Sequence, residues 1–246
     1  MHQKRLSMRI ISRVIASIVF TLSILVISNP VLADQTEIPN YNQARKVFWR
    51  DLYPDGGKSI YCNINASLDN NEDEDDSDNV NIEHVYPASW MKEAADCLGS
   101  NRKECRQNSP RFNLMEADLH NLYPSLANLN QARGSFNFAI IDGTATDSCD
   151  FEVQGGLVEP RPDSRGNIAR VFFYMNDEYG AAIAPPNPTG SADLKDLLTD
   201  WHCKDPVDSA ERDRNDIIES LQGTRNKFID DPSLVSCSNI ATFPDD

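Results

Sequence analysis

Beyond residue 33 the sequence holds three histidines, His84, His120 and His202. Histidine is the usual general base near neutral pH, because an ordinary pKa of about 6.5 leaves it largely neutral and able to accept a proton. His202 stands between Trp201 and Cys203 at the end of a helical pattern and reads as a packed imidazole. His120, in MEADLHNLYPS, suits a core and a site equally. His84 directly follows Glu83 in an alternating stretch, Val80 to Val85. Neighbours on a strand face opposite ways, so one carboxylate and one imidazole there can divide two tasks between two sides of the chain. Two other chemistries fit poorly. No CxxC or Cys/His quartet has the spacing of a zinc site. Asp69, Asn71 and Asp73 have the spacing of a calcium loop, but Glu74 stands where that loop needs glycine and Val80 where it needs glutamate.

The elements around these residues follow from periodicity. Residues 41–52 put Tyr41, Ala44, Val47, Phe48 and Leu52 on one helical face, closed by Asp55-Gly56-Gly57. Residues 80–85 read as a strand. Over 115–133, Pro124 suggests a helical turn, a break, and a helix from about Ser125, on which Asn130 and Arg133 share a face. Ile168, Val171, Phe172, Met175 and Tyr179 keep helical spacing. Ser191 reads as the cap of a helix through Trp201, and residues 209–222 form another that stops at Gly223. Trp90, Phe172 and Phe173 are expected in the core.

The chain has 246 residues, 40% apolar and 25% charged, with a net charge of −15. This is a globular composition that excludes collagen, a wholly disordered chain and a multispan membrane protein. Lys4, Arg5, Arg9 and Arg13, an apolar run from Val14 to Ile27, and Val31-Leu32-Ala33 have the layout of a secretory signal over residues 1–33. The run is shorter than the ~20 residues of a membrane span, so no anchor is expected after cleavage. Residues 34–246 then form one acidic domain whose export makes an oxidising compartment, periplasmic or extracellular, the expected location. Its six cysteines, Cys62, Cys97, Cys105, Cys149, Cys203 and Cys237, read as three disulfides, with Cys97 and Cys105 near enough to pair locally. Residues 69–78, DNNEDEDDSD, carry seven acidic side chains and no apolar one, as a solvated or disordered loop would.

Four segments in order, EHVYPASW (Glu83 to Trp90), MEADLHNLYPS (Met115 to Ser125), LNQARGSF (Leu129 to Phe136) and SRGNIARVFFYMNDEY (Ser164 to Tyr179), resemble the bacterial endonuclease I family. Its members are periplasmic or secreted sugar-nonspecific nucleases with a ββα-metal (His-Me) finger. The resemblance, from about residue 41 to Cys237, implies a single α+β domain built around that finger. It also implies His84 as the base that activates water, Glu83 and Asn130 as ligands of one Mg²⁺, and Arg102 as the grip on the phosphate. Mn²⁺ or Ca²⁺ could take the same oxygen ligands. By the same resemblance the cysteines pair as Cys97–Cys105, Cys62–Cys149 and Cys203–Cys237. Asn121, His120, Arg133, Arg165 and Arg170 are further candidates for supporting the site or touching substrate, although Arg165 and Arg170 could equally hold acidic loop ends together. Asp118 could orient a neighbouring histidine. Two cysteines that many relatives carry near residues 61–64 do not occur here, and GTRNKF replaces a more His/Asn-rich stretch.

Such a set makes chemical sense. Phosphodiester hydrolysis needs a nucleophile opposite the leaving oxygen, neutralised phosphoryl charge and a stabilised 3′ oxygen. With water as nucleophile, DNA and RNA are both expected substrates, with 5′-phosphate products. An acidic protein should repel a polyanion. Between residues 92 and 133, however, Lys92, Arg102, Lys103, Arg106, Arg111 and Arg133 outnumber Glu93, Asp96, Glu104, Glu116 and Asp118. A neutral-to-basic cleft on an acidic body is therefore expected, binding weakly and salt-sensitively, in a monomer. The competing reading is a noncatalytic exported protein that uses the same scaffold to bind cations or a partner.

Overall fold

Helix α1 (Tyr41–Val47) starts where the Asn40 side chain accepts from the Gln43 N–H, and it tightens into a π-helical turn at Phe48–Leu52. The computed structural model describes residues 35–66, 80–142, 149–184, 194–238 and 243. The expected signal (1–33), acidic loop (69–78) and Ser191 cap lie outside them. Among the described residues, no helix is long and apolar enough to cross a membrane. Short strands β1 (Gly57–Lys58) and β2 (Asn65–Ala66) pair with each other. Next come β3 (Val80–His84), α2 (Met91–Ala94), α3 (Arg102–Asn108), α4 (Pro110–Ala117), β4 (Leu122–Leu126) and α5 (Ala127–Arg133). Strands β5 (Asn137–Phe138), β6 (Glu152–Gln154) and β7 (Leu157–Glu159) make a second small sheet. Helices α6 (Arg165–Tyr179), α7 (Leu194–Lys204), α8 (Ser209–Gln222) and α9 (Lys227–Asp230) complete an α+β domain.

One sequence expectation needs correction. Residues 122–126 are a strand, and the helix begins at Ala127. Strand β4 runs antiparallel to β3, with Glu83 opposite Tyr123, His84 opposite Leu122, and Ile82 opposite Pro124. The Pro124 carbonyl accepts from the Ile60 N–H at 2.9 Å, so this residue's polar edge faces away from β3. Its missing N–H therefore costs the β3–β4 ladder nothing, which is how proline is tolerated in a strand. The outcome is a strand–strand–helix unit made of β3, β4 and α5, its strands separated in sequence by α2 to α4.

Two apolar clusters flank that unit. The larger surrounds α6, which buries residues on nearly every side, and includes Trp90, Phe138, Phe172, Phe173 and Trp201. The smaller lies under α1 and gathers Ala44, Phe48, Leu52, Leu122 and Ile218. Strand β3 sits at the seam, with Ile82 in the smaller cluster and Val85, the residue after its end, in the larger. The disulfides Cys62–Cys149, Cys97–Cys105 and Cys203–Cys237 join as the resemblance implied.

His120 and His202 are part of this packing. His202 is buried, with Nε2 3.0 Å from the Pro232 carbonyl. His120 is fully buried, with Nε2 3.1 Å from the Thr224 carbonyl and its ring 4.5 Å from that of Tyr174. The neighbouring Asp118 accepts the His120 backbone N–H, and its carboxylate also receives the hydroxyls of Tyr174 and Tyr179. Burial lowers the His120 pKa to about 4. In the unfolded chain it titrates near 6.5, so between about pH 6.5 and pH 4 the unfolded state binds a proton that the folded state refuses. Stability is fully present above this window and is lost as pH falls through it, by on the order of 3 kcal/mol for this residue. Urea midpoints of wild type should fall over that range and those of His120→Asn less steeply; parallel pH profiles would contradict this.

Candidate active site

Glu83 and His84 are neighbours at the end of β3, each with its own partners, and both border one cleft. The His84 Nε2 lies 3.0 Å from the backbone carbonyl of Glu116 on α4. A carbonyl only accepts, so Nε2 carries the hydrogen and the lone pair belongs to Nδ1, which has no hydrogen-bond partner among the described residues. Burial, reinforced by the positive charge of Arg102, lowers the His84 pKa to about 4. The imidazole is thus neutral and in one tautomer at physiological pH, as a base must be.

Glu116 does a second task with its side chain. Its fully buried carboxylate takes Arg102 Nε on one oxygen and Arg106 Nε on the other at 2.6 Å. Arg102 opens α3, whose first turn is fixed by a capping box between Asn101 and Glu104 inside the Cys97–Cys105 loop. Both guanidinium groups lie over the Tyr41 ring, at 5.4 and 5.3 Å, and that ring is 4.9 Å from the ring of His84. With Nε committed to Glu116, Arg102 keeps its terminal nitrogens for another anion.

The Glu83 carboxylate is almost wholly buried. The Tyr61 hydroxyl donates to its Oε1 at 2.6 Å, and Arg133 Nη1 is 3.3 Å from the same oxygen. Burial pushes the Glu83 pKa up to about 7, against the opposing pull of Arg133 and the Tyr61 hydrogen bond. Asn130 on α5 donates from Nδ2 to Asn81 Oδ1 at 2.7 Å and to the Ile82 carbonyl at 3.2 Å. Its side-chain oxygen Oδ1 has no hydrogen-bond partner among the described residues. Glu83, His84, Arg102 and Asn130 line one cleft of about 420 Å³, together with Tyr41, Asn81 and Lys92.

The oxygen donors fit a hard divalent cation: one carboxylate that gains from nearby positive charge and one unpaired amide oxygen. Among the described residues no group of three or more His, Cys, Asp or Glu side chains could hold a metal. An ion held by Glu83 and Asn130 would therefore keep water in most of its coordination shell, as Mg²⁺ commonly does.

The remaining candidates do not line the cleft. Asn121 clamps Tyr86, accepting from its N–H at 2.6 Å and donating to its carbonyl at 3.0 Å, which fixes the chain just past His84. Three arginines offered either as support for the site or as substrate contacts are buried and paired, the supporting alternative of the two. Arg133 binds the His84 and Val85 carbonyls at 3.2 and 2.7 Å, Arg165 pairs with Glu159 at 2.6 Å, and Arg170 pairs with Glu211 at 2.5 Å. His120 is core. Tyr41, Tyr61, Asn81 and Glu116 belong to the site, although nothing local in the sequence marks them; only Glu116 lies in a segment that carries the family resemblance.

A neutral histidine, a cationic fork and oxygen donors thus line one cleft. The endonuclease I sequence profile matches residues 35–233, and the chain belongs to the endonuclease I family. It is 29% identical over 226 residues to an extracellular deoxyribonuclease of Aeromonas hydrophila, covering 84% of this chain and 94% of that one. A periplasmic deoxyribonuclease of the same organism is 34% identical over 61% of this chain and 63% of its own length. An extracellular ribonuclease of Bacillus subtilis is 36% identical over 47% of this chain, so the match spans under half, 44%, of that relative.

Proposed function

We propose that this protein is an exported, metal-dependent endonuclease that hydrolyses DNA and RNA with little sequence preference. The observation that carries the reading is the anchored, neutral His84 with Nδ1 unpaired beside Arg102 in the cleft. His84 Nδ1 takes the proton of a water as that water attacks phosphorus, while Nε2–H stays on the Glu116 carbonyl. The P–O3′ bond breaks and the leaving 3′ oxygen takes a proton from solvent, giving a 5′-phosphate and a 3′-hydroxyl, after which His84 returns its proton to solvent. Arg102, braced by Glu116 through Nε, presents its terminal nitrogens to the non-bridging oxygens and offsets the charge gathering there. A divalent cation, Mg²⁺ before Mn²⁺ or Ca²⁺, on Glu83 and Asn130 would supply further charge neutralisation at the phosphate and the leaving 3′ oxygen.

No step uses a ribose 2′-hydroxyl, which supports action on both polymers, as do relatives named for deoxyribonuclease and for ribonuclease. Export is supported by the signal-like N-terminus, three disulfides and relatives named extracellular or periplasmic. The test is digestion of supercoiled plasmid and of total RNA by oxidised protein, with Mg²⁺ and with EDTA. Cleavage of both, abolished by EDTA, is expected. Folded protein that cleaves neither polymer with Mg²⁺, Mn²⁺ or Ca²⁺ would overturn the reading and favour a binding scaffold.

A further inference from the structure

Tyr61 is fully buried, outside the cleft lining, and plays no part in the chemistry above. Its hydroxyl nevertheless makes a short bond, 2.6 Å, to Oε1 of Glu83. The ring is itself fixed, packed 5.0 Å from Phe151 and 6.5 Å from Phe138. The next residue, Cys62, is tied to Cys149 by a disulfide. A glutamate has three rotatable side-chain torsions, and an ion gains from it only if one arrangement is already selected. The other partners of the carboxylate are the His84 backbone N–H and Arg133, whose guanidinium is 3.3 Å from Oε1 and is shared with the carbonyls of His84 and Val85.

We infer that Tyr61 is a positioning residue that holds the Glu83 carboxylate in the orientation that receives a divalent cation, so that it sets ion affinity without touching ion or substrate. The inference rests on the metal assignment proposed above. Residues that hydrogen-bond a ligand carboxylate are worth about 10–100-fold in metal affinity when removed. Tyr61→Phe keeps the ring and its packing and removes only the donor.

The experiment is titration of the oxidised full-length mature protein with Mn²⁺, by calorimetry and by electron paramagnetic resonance of free Mn²⁺, in wild type, Tyr61→Phe and Tyr86→Phe. Tyr86 is the control, because its hydroxyl bonds the Ala182 carbonyl, so its removal also deletes a hydrogen bond of a buried tyrosine but one that does not involve Glu83. The Kd for Mn²⁺ is expected to rise about 10–100-fold in Tyr61→Phe and to stay near wild type in Tyr86→Phe. The rise in Tm that Mn²⁺ produces reads the same affinity even from a weakened fold. Equal Kd values for wild type and Tyr61→Phe would overturn the inference, as would an equal loss in Tyr86→Phe. A wild type that binds no Mn²⁺ would overturn it at its root, by removing the ion from Glu83.

Discussion

Replacing His84 by alanine is expected to slow plasmid nicking by about 10²–10⁴-fold while leaving the protein folded. The size of the effect follows from the isolation of the base. His84 Nδ1 is the one imidazole lone pair facing the cleft among the described residues, because His120 and His202 are spoken for within the core. The fold should survive, since His84 lies at the end of β3 and the ladder to β4 is made by backbone groups that alanine retains. Thermal unfolding in parallel with nicking separates the two outcomes, and partial recovery of rate by added imidazole would identify the lost group as a base. A variant that cuts within a few-fold of wild type would remove His84 from the mechanism.

Arg133→Met is expected to act in the opposite way, costing about 3–5 kcal/mol of stability, the range for removing one partner of a buried charge pair. The side chain is fully buried, stacked 4.8 Å over the Phe138 ring, and serves two backbone carbonyls and the Glu83 carboxylate at once. Methionine fills much of the space but leaves two acceptors and a carboxylate without their donor. Urea unfolding should show the loss as a lower midpoint with unchanged slope. An unchanged midpoint accompanied by weaker substrate binding would return Arg133 to the substrate side of the site.

The contrast between these residues shows what a sequence exposes and what it hides. Periodicity recovers α6 and α8, and Gly223 marks an end that the structure keeps. The strand of Glu83 and His84 was legible because its apolar and polar residues alternate in sequence. Strand β4 was not, because Pro124 is a breaker only where its N–H would have been used, and pairing geometry is a nonlocal fact. Arginine was the hardest residue to read. Its charge suggests phosphate, yet whether it meets phosphate or a buried carboxylate depends on partners such as Glu83, Glu159 and Glu211, which lie 50, 6 and 41 positions away. Tyr41, Tyr61 and Glu116 escaped for the same reason: each joins the site from a different element.

The inward arginines have a consequence for how such a protein would work along a polymer. Arg133, Arg161, Arg165, Arg170 and Arg214 are all buried, so an approaching strand meets far fewer cations than the composition contains. At the cleft itself the basic side chains are Lys92 and Arg102. A strand held by so few phosphate contacts displaces few counterions and dissociates readily. Digestion would then be distributive, with the protein leaving after each cut and landing elsewhere, so long polymers would shorten throughout the population together rather than one molecule at a time.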